Sequence, residues 1–310
     1  MEVCPSIFII FYHGGTLVEL HKGLTAYQLK VIAVVFMTLD HLQRALKQTR
    51  AFELWRFSDC IWHFGRIAAP LFLFLIAEST RYTHDRHRFL LRLYFASVLT
   101  GIFNTITDIV FTLCFDVTRG NPNIFFTLFF TVLHILLIED MAASIKSRKM
   151  KRLLADLGLF MATFISVFIQ IAVSEIFPGI LFHNFDNKFL ARVILDDLTE
   201  TLFPSVLTVE YSYVFVIMGV CFYFAKNKYH KCIVFSFFCI LCYLSARMNI
   251  GFLQGFYGNG DQHWMFLAIP FMLLYNGKRG KEHKTFFYVY YPTHDAILFA
   301  ASQLLNRFFA

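Results

Sequence analysis

Residues 30–41 read KVIAVVFMTLDH: a lysine, an almost uninterrupted apolar run from Val31 to Leu39, and then Asp40 and His41 side by side. Lipid does not solvate a carboxylate or an imidazole, so ionisable residues at the end of such a helix mark a functional site by default. The competing interpretation is an interfacial His–Asp pair satisfied by water and lipid headgroups. The stretch predicts a membrane helix that can carry chemistry at its far end.

Helical geometry relates Lys30 to His41. Eleven residues at 100° each place the two side chains within about 20° of each other on one face, roughly 16 Å apart along the axis. Asp40 points about 100° away from His41. We expect Lys30 and His41 to line one cavity, and Asp40 to pair with a cation or to orient a neighbour. Histidine suits general-base catalysis because it titrates near neutrality.

The composition extends the membrane assignment to the whole chain. Of 310 residues, 57% are hydrophobic and only 16% are charged, against roughly 25% charged in an ordinary soluble domain. A soluble core cannot hide that much apolar surface, so we predict an all-α, polytopic transmembrane helix bundle. Residues 24–310 form its single domain. Residues 1–23 form an interfacial segment that lacks the basic start and cleavage site of a signal peptide.

Nine apolar stretches approach the roughly 20 residues that a bilayer crossing needs, which indicates about eight to ten crossings. The last two stretches are short or interrupted by polar groups. Residues 181–200 carry acidic side chains among apolar ones, which is typical of an amphipathic or re-entrant helix, although an ordinary ordered loop fits equally well. The candidate spans are residues 25–43, 61–79, 90–112, 123–141, 153–176, 203–225, 231–250, 262–276 and 286–305.

The positive charge is distributed over short loops. The net charge of +7 therefore indicates cytoplasmic loops and not a nucleic-acid surface. Loops near residues 81–92, 146–152, 226–231 and 278–284 are basic, whereas the loops between them are poorer in cations. This alternation predicts that the four basic loops share the cytoplasmic side. Residues 44–60 break the pattern, because this loop is basic although alternation places it outside.

Two further segments contain candidate functional side chains. Arg66 lies inside an apolar stretch and needs an anionic partner, for which Asp40 is the candidate; a helix-packing ion pair is the alternative. Residues 275–280 read YNGKRG, a basic loop that either holds phosphate or only follows the charge rule. Residues 290–294 read YYPTH, and the proline is expected to break the last span beside its histidine.

The remaining motifs restrict the chemistry. The seven cysteines are scattered and favour buried packing residues, so no metal site is predicted. No nucleophile elbow, zinc-protease motif or dinucleotide fingerprint occurs. Among the carboxylates in or near spans, Glu210 is the best candidate for burial, because Tyr211 and Tyr213 follow it. Proton transfer centred on histidine within the membrane is the chemistry that we expect.

Taken together, these strings resemble the TraX family, membrane proteins linked to N-terminal acetylation of conjugative pilin. The resemblance runs from Leu24 to about Leu304, and its most specific part is NGKRG followed by Tyr-Pro-x-His. The strings that carry it are Leu24-Thr25 with Gln28 and Lys30, Met37 with Asp40-His41, Gly65-Arg66-Ile67-Ala68 with Pro70-Leu71-Phe72, Leu91-Arg92-Leu93, Asn123-Ile124 with Phe126-Thr127-Leu128, Tyr275 to Gly280, Phe286-Phe287-Tyr288, and Tyr291-Pro292 with His294.

The family is similar to a wider group of multi-span acyltransferases that use cytoplasmic acyl-CoA and often show a basic residue, ten residues and a histidine in the first span. Lys30 and His41 have that spacing, with lysine where arginine is commoner. The resemblance implies acetyl-CoA as co-substrate, with its phosphates near Lys278, Arg279 and Asn276 and also near Arg81 or Arg92.

The same resemblance implies roles for the residues of the centre. His41 acts as the base, Asp40 orients the site, Arg66 or Lys30 stabilises the oxyanion, and His294 handles a second proton or binds the acceptor. Direct transfer and an acetyl-histidine intermediate are both open.

The resemblance also implies a place and partners. We expect a multi-pass protein of the bacterial inner membrane, in contact with lipid, whose acceptor is a protein N-terminus or a glycan; a homodimer is left open. Two other classes compete. A proton-coupled transporter or flippase also needs intramembrane ionisable groups, but no internal repeat is evident. A non-catalytic component of a secretion or pilus assembly is the other alternative.

Overall fold

The computed structural model describes residues 23–47, 49, 63–120, 122–176, 188–248, 262–281 and 283–308. These residues contain ten α-helices and no β-strand, so the predicted all-α class is confirmed. A π-helical turn, Ala172–Ile176, extends the fifth helix, and a 3₁₀-helix, Gln262–Ala268, precedes the ninth. The helices are α1 (Ala26–Lys47), α2 (Ala68–Tyr82), α3 (Arg86–Phe115), α4 (Ile124–Lys146), α5 (Met150–Ile171), α6 (Lys188–Leu202), α7 (Ser212–Phe224), α8 (Lys228–Met248), α9 (Ile269–Leu274) and α10 (Lys284–Phe308).

Four helices in the described part of the chain, α3, α4, α5 and α8, are long and apolar enough to cross a membrane. Large apolar side chains such as Leu157, Ile165 and Phe168 lie exposed along α5, as expected where lipid replaces water as the solvent. α1 and α10 have a comparable length of 22 and 25 residues, but they carry several ionisable groups. The ionisable groups of α1 and α10 therefore need partners within the protein, because lipid alone would not accept them.

The four basic loops lie at one end of the bundle, which we call the basic end. Arg81, at the end of α2, donates hydrogen bonds to the carbonyl oxygens of Tyr223 and Ala225 at the end of α7. Lys228, at the start of α8, donates to the carbonyl oxygen of Leu273 at 2.8 Å. The shared end agrees with the alternation of charge along the sequence.

The first helix begins at this basic end with a capping box. Gln28 N–H donates to Thr25 Oγ1 at 3.3 Å, and Thr25 N–H donates to Gln28 Oε1 at 2.9 Å. Each side chain therefore satisfies a backbone donor that the helix itself cannot. Thr25 is therefore the N-cap of α1.

The loop at residues 275–280 closes onto the same helix start. The carbonyl oxygens of Lys278 and Arg279 accept hydrogen bonds from Ala26 N–H at 2.8 Å and Tyr27 N–H at 3.0 Å. Gly280 has φ +76°, and an added Cβ would lie 2.6 Å from Thr25 Oγ1. Glycine is therefore required at position 280 for two reasons: its φ is positive, and a Cβ atom would collide with Thr25. The backbone of the YNGKRG loop therefore fixes the position at which α1 begins.

The predicted span at residues 203–225 is only partly helical. Helix α7 occupies Ser212–Phe224, about 20 Å of helix, which is too short to cross a hydrocarbon core of about 30 Å. Residues 188–200 of the acidic connector lie in α6, which agrees with the helical alternative for that part of it. The helix ends where Thr201 packs against Gly101 in the middle of α3. α6 and α7 with the non-helical residues 203–211 therefore resemble one interrupted span.

Two other expectations about helix boundaries are wrong. Pro292 does not break the last span, because it lies inside the continuous helix α10. The side chain of Thr293, which follows the proline, donates to the carbonyl oxygen of Val289 at 2.8 Å. Arg66 does not lie within a helix but in a turn before α2.

Two predicted segments fall mostly outside the described residues. Residues 1–22 of the interfacial segment and residues 48 and 50–60 of the basic loop belong to this part of the chain. Helix α1 runs from the basic end to the opposite end, and its last turn carries Arg44 and Lys47.

The α4–α5 turn provides a test of backbone strain. Arg148 has φ 54°, and its neighbour Lys149 donates to the carbonyl oxygen of Ser144 at 2.9 Å, as in a Schellman motif. We predict that Arg148→Gly stabilises the protein by up to about 1 kcal/mol, because glycine adopts this conformation without steric cost. The thermal midpoint of the purified protein measures the change. Ala142→Gly, in the regular part of α4, should lower the midpoint instead; a lower midpoint for both variants would contradict the prediction.

Candidate active site

The side chain of His41 meets a carboxylate of α10. Its Nδ1 lies 3.1 Å from Asp295 Oδ1, and the two side chains are 3% and 14% exposed. The ring N–H is not aligned well enough to make this contact a good hydrogen bond. Asp295 is a residue that the sequence interpretation missed, although it directly follows His294. The predicted shared face of α1 is real, because Lys30 Nζ lies 5.8 Å from the ring of Phe287, also on α10.

His294 lies face to face with His41. The ring centroids are 4.8 Å apart and the planes differ by 9°. Nδ1 of His294 lies 2.9 Å from the carbonyl oxygen of Tyr290, and a carbonyl oxygen only accepts, so this nitrogen carries the proton. Nε2 is buried and has no hydrogen-bond partner among the described residues. The contact with Tyr290 therefore assigns the tautomer of His294: Nδ1 is protonated, and Nε2 carries a lone pair.

Two more rings continue this stack along α10. The ring of Tyr290 lies 5.0 Å from His294 and 5.2 Å from Phe286, so the three residues follow one helix face at intervals of four. The Tyr290 hydroxyl forms a 2.8 Å hydrogen bond with Thr38 Oγ1 on α1. These contacts hold both imidazoles in place between the two helices.

Arg119, a second residue that the sequence interpretation missed, anchors Asp295 from the other side. Its side chain is 4% exposed and donates to Asp295 Oδ2 at 2.8 Å. The same guanidinium donates to Asn104 Oδ1 at 2.7 Å and to Thr107 Oγ1 at 3.0 Å. The sequence contained one signal, a lone arginine in the cation-poor loop after α3. It could not reveal that the side chain turns inward.

Asp40 points away from His41 and pairs with two cations. Its carboxylate oxygens lie 3.2 Å from Arg66 Nη2 and 3.1 Å from Arg44 Nη2. Arg66 also donates to Gln262 at 3.4 Å. Of the two roles predicted for Asp40, the structure shows the cation pair, and the carboxylate beside His41 is Asp295 instead. The tertiary packing decides this, because α10 lies against the face of α1 that carries His41.

Another hydrogen-bonded group surrounds Glu210, in the non-helical residues 203–211. Tyr291 Oη donates to Glu210 Oε2 at 2.8 Å and accepts from Ile124 N–H at 2.9 Å. The next residues, Tyr211 and Ser212, both have positive φ, at 66° and 67°. Such strained backbone is concentrated at functional sites in proteins.

The residues assigned to CoA lie at the basic end and not beside His41. The side chains of Lys278 and Arg279 are exposed, and Asn276 Oδ1 accepts from Lys278 N–H at 2.9 Å. Arg81 is engaged with the end of α7. The start of α1 is separated from His41 by about 22 Å of helix. The sequence-predicted residues therefore form two groups, one at the bundle surface and one within it.

A groove lies on the bundle beside α10. It has a volume of about 490 Å³ between α3 and α10, with mostly apolar walls that include Phe95, Leu99 and Tyr288. Arg92 lies at the end nearer the basic loops, and Pro292 and Thr293, next to His294, line the groove as well.

Comparisons with known proteins agree with the resemblance found in the sequence. The model of the family described as TraX protein matches residues 25–195 and 197–302. The chain is also similar to a protein of Dichelobacter nodosus named probable fimbrial assembly protein FimC, serogroup H1. The two are 23% identical over 285 residues, which cover 91% of this chain and 97% of that protein. No solved structure matches.

Gly65 provides a test of the Asp40 cluster. An added Cβ would lie 2.4 Å from Asp40 Oδ1, whereas an added Cβ at Gly158, in α5, meets nothing within 4 Å. We predict that Gly65→Ala displaces Asp40 from Arg66 and destabilises the protein by a few kcal/mol, on the order of 3, because buried charges lose their partner. Gly158→Ala should instead stabilise by about 1 kcal/mol. The thermal midpoints of the two variants are compared with that of the unaltered protein. An equal change in midpoint for both variants would contradict the close contact between Gly65 and Asp40.

Proposed function

The chain belongs to the TraX family, and from this premise and the geometry of the site we propose that it is an integral membrane acyltransferase. It moves an acetyl group from cytoplasmic acetyl-CoA to an amine or hydroxyl group of an extracytoplasmic or membrane-associated acceptor. The observation that carries the proposal is the buried contact of His41 with Asp295, which is in turn anchored by Arg119. A histidine oriented by a carboxylate is a common arrangement for a general base.

His41 acts as the base in this proposal. Asp295 faces Nδ1, so the proton resides there and Nε2 is available to accept a proton from the acceptor. The acceptor atom then attacks the thioester carbonyl carbon, a new bond to the acetyl group forms, and the carbon–sulfur bond breaks. CoA leaves as a thiol after it receives the proton. Asp295 stabilises the imidazolium that exists between the two proton transfers.

His294 is the second proton-handling group. Its unpartnered Nε2 and its stacking on His41 bring two imidazoles into one buried site. Two adjacent imidazolium ions repel each other, so we expect one proton at a time on the pair. Direct transfer to the acceptor and an acetyl-histidine intermediate both fit this arrangement.

The donor enters from the basic end. Lys278, Arg279 and Asn276 hold the phosphates there together with Arg92, whereas Arg81 is already engaged with backbone carbonyls. The groove that Arg92 and Pro292 help to line supplies an apolar path for the pantetheine arm.

The position of each cation limits its role. Lys30 lies roughly 16 Å along α1 from His41, too far to stabilise an oxyanion there, so we assign it to the path of the donor. Arg66 remains the candidate for the oxyanion, provided that it exchanges one of its contacts with Asp40 and Gln262.

The proposed setting is the bacterial inner membrane, which the chain crosses several times. The basic end then faces the cytoplasm, in accordance with the charge rule. The name of the Dichelobacter relative connects that protein with fimbrial assembly. By analogy, the acceptor here is a protein N-terminus or a glycan of a surface structure.

The same name favours a second candidate function. A non-catalytic component of a fimbrial assembly needs a stable bundle but neither a base nor a CoA site. The two candidates differ in what they require of His41, and the following variants separate them.

We predict that His41→Asn abolishes acetyl transfer, because asparagine can replace Nδ1 opposite Asp295 but supplies no base. A general base contributes about 10²–10⁴ to a rate. The purified protein is assayed by release of CoA thiol, and binding of CoA is followed by its effect on the thermal midpoint. His134→Gln is the matched control, because His134 is also buried but bonds through Nε2 to Thr163 on α5. Wild-type turnover in His41→Asn would assign the base to another residue, and no turnover in the unaltered protein would favour the assembly component.

The donor site gives a separate prediction. Lys278→Gln and Arg279→Gln should each raise the KM for acetyl-CoA about tenfold with little change in kcat, because a charge-assisted contact to phosphate is worth about 1.5–3 kcal/mol. Lys149→Gln, a cation of another basic loop, serves as the control. Unchanged KM values would place the phosphates elsewhere at the basic end.

A further inference from the structure

Arg119 lies between two buried carboxylates, of which the proposed mechanism uses only Asp295. Its guanidinium donates to Asp295 Oδ2 at 2.8 Å, and its Nε lies 3.8 Å from Asp108 Oδ1 on α3. The same oxygen of Asp108 accepts the backbone N–H of Arg119 at 3.2 Å. The other oxygen, Asp108 Oδ2, is buried and has no hydrogen-bond partner among the described residues. Asp108 is therefore a fully buried carboxyl group with one unsatisfied oxygen.

Helix α6 adds a third carboxylate to this region. It packs against α3, where Thr201 contacts Gly101. Asp197 lies one helical turn before Thr201, on the same face of α6, and Asp108 lies two turns after Gly101 on α3. Asp197 is 7% exposed, and its Oδ2 has no hydrogen-bond partner in the described part of the chain. The charges of Asp108 and Asp197 repel each other directly.

The charges of this cluster do not balance if every carboxyl group is ionised. Among the described residues here, three aspartates then carry three negative charges against one positive charge on Arg119. His41, which faces Asp295, adds a positive charge only as an imidazolium ion. Two adjacent carboxylates in apolar surroundings, without a cation of their own, retain a proton between them.

The other ionisable groups around the pair do not supply the missing positive charge. Asp196 and Glu200, also on α6, are acidic and repel the pair. Arg192 is paired with Asp196 at 4.0 Å. On α1, Arg44 is paired with Asp40 at 3.1 Å. Within the described part of the chain, a proton is therefore the group that neutralises the pair.

We propose that Asp108 and Asp197 share one proton and release it when His41 becomes protonated, so that the net charge of the buried centre stays constant during the transfer. The inference rests on the proposed function, because it takes His41 as the base. The two aspartates are positioning residues, since they act on the reaction through Arg119 and Asp295 and do not touch the substrates.

Arg119 transmits the change in charge. Two oxygens of α3 hold its guanidinium at 2.7 and 3.0 Å, so its charge is divided between Asp295 and Asp108 without a change of position. An imidazolium ion at His41 neutralises Asp295, and the charge of Arg119 then stabilises Asp108 as a carboxylate. By linkage, protonation of the histidine and protonation of the aspartate pair oppose each other.

The protons balance over one cycle. His41 takes one proton from the acceptor as the acceptor atom attacks the thioester, and the Asp108–Asp197 pair gives one proton to water. When His41 passes its proton to the departing thiolate of CoA, the pair takes one proton back. The pair therefore contributes no net proton to the reaction, and neither step leaves an uncompensated charge in the bundle.

A first measurement detects the shared proton in the full-length protein, purified in detergent and kept in a potassium buffer near neutral pH. A protonated carboxyl group has a carbonyl stretching band in the infrared that a carboxylate lacks. We expect Asp197→Asn to remove the band of one carboxyl group, because Asp108 then ionises beside Arg119. Asp140→Asn is the matched control, because Asp140 is 40% exposed and pairs with Arg152 at 3.2 Å; it should leave the band unchanged.

A second measurement separates this role from a merely structural one. The rate of acetyl transfer is followed by release of CoA thiol over a range of pH. The base must be unprotonated to act, so the rate falls on the acid side. Proton release from the pair favours the imidazolium form of His41, and Asp197→Asn removes this effect. The acid limb should therefore move to lower pH by about one unit or more, since one neighbouring charge shifts a titration by about 1–3 units.

Two further variants keep the test valid. Asp197→Glu retains a carboxyl group and should keep both the infrared band and the pH profile of the unaltered protein. Asp197→Ser removes the carboxyl group with a smaller side chain and replaces Asp197→Asn in both measurements if that variant does not fold.

Three results would overturn the inference. One is an infrared band that persists without the carboxyl group of Asp197. Another is a lower rate at every pH with an unchanged acid limb, which would make the pair structural. The third is loss of the band from the unaltered protein when sodium replaces potassium, which would make the pair an inorganic-cation site. A failure of the proposed function gives a different result, no transfer from acetyl-CoA at any pH, while an infrared band that depends on Asp197 still supports the shared proton.

Discussion

The Asp295 carboxylate, shared between His41 and Arg119, is the interaction on which the centre of the bundle depends. It neutralises the buried guanidinium of Arg119 and faces Nδ1 of His41, and Asn104 and Thr107 extend the contact to α3. Charged groups remain inside an apolar bundle only when each is paired and hydrogen-bonded. Helices α1, α3 and α10 must therefore pack in one register, because a displacement of any of them would leave a buried charge alone. The same constraint brings His41 and His294 face to face.

A second constraint determines how far this centre lies from the surface. The YNGKRG loop uses its carbonyl oxygens to complete the start of α1, and Gly280 allows the approach. The length of α1 then sets the distance between the exposed cations of the loop and His41. The backbone of this loop therefore positions α1, and in the proposed function its exposed side chains bind the phosphates of CoA.

The interrupted span adds a polar face to a helical bundle. Non-helical backbone at membrane depth is tolerated only where protein or a water-filled cavity surrounds it, and here Thr127 and Tyr291 bond to Glu210. The strain at Tyr211 and Ser212 is compatible with a segment maintained for its chemistry.

The sequence by itself determined the properties that depend on neighbouring residues. Apolar stretches and their length predicted the helices, the 3.6-residue period placed Lys30 and His41 on one face, and alternating charge predicted the common end of the basic loops. The roles of Asp295 and Arg119 became evident only in the tertiary structure, whereas the partner of Asp40 was predicted from the sequence. Asp40–Arg66 was foreseen because few opposite charges were available to each, whereas the His41–Asp295 contact depends on which face of α1 packs against α10. The continuity of α10 through Pro292 and the interruption before α7 were not foreseen either, since neither is set by the adjacent residues of the chain. Local periodicity can be predicted from the sequence alone, but the pairing of buried charges is decided only when helices distant in sequence come into contact.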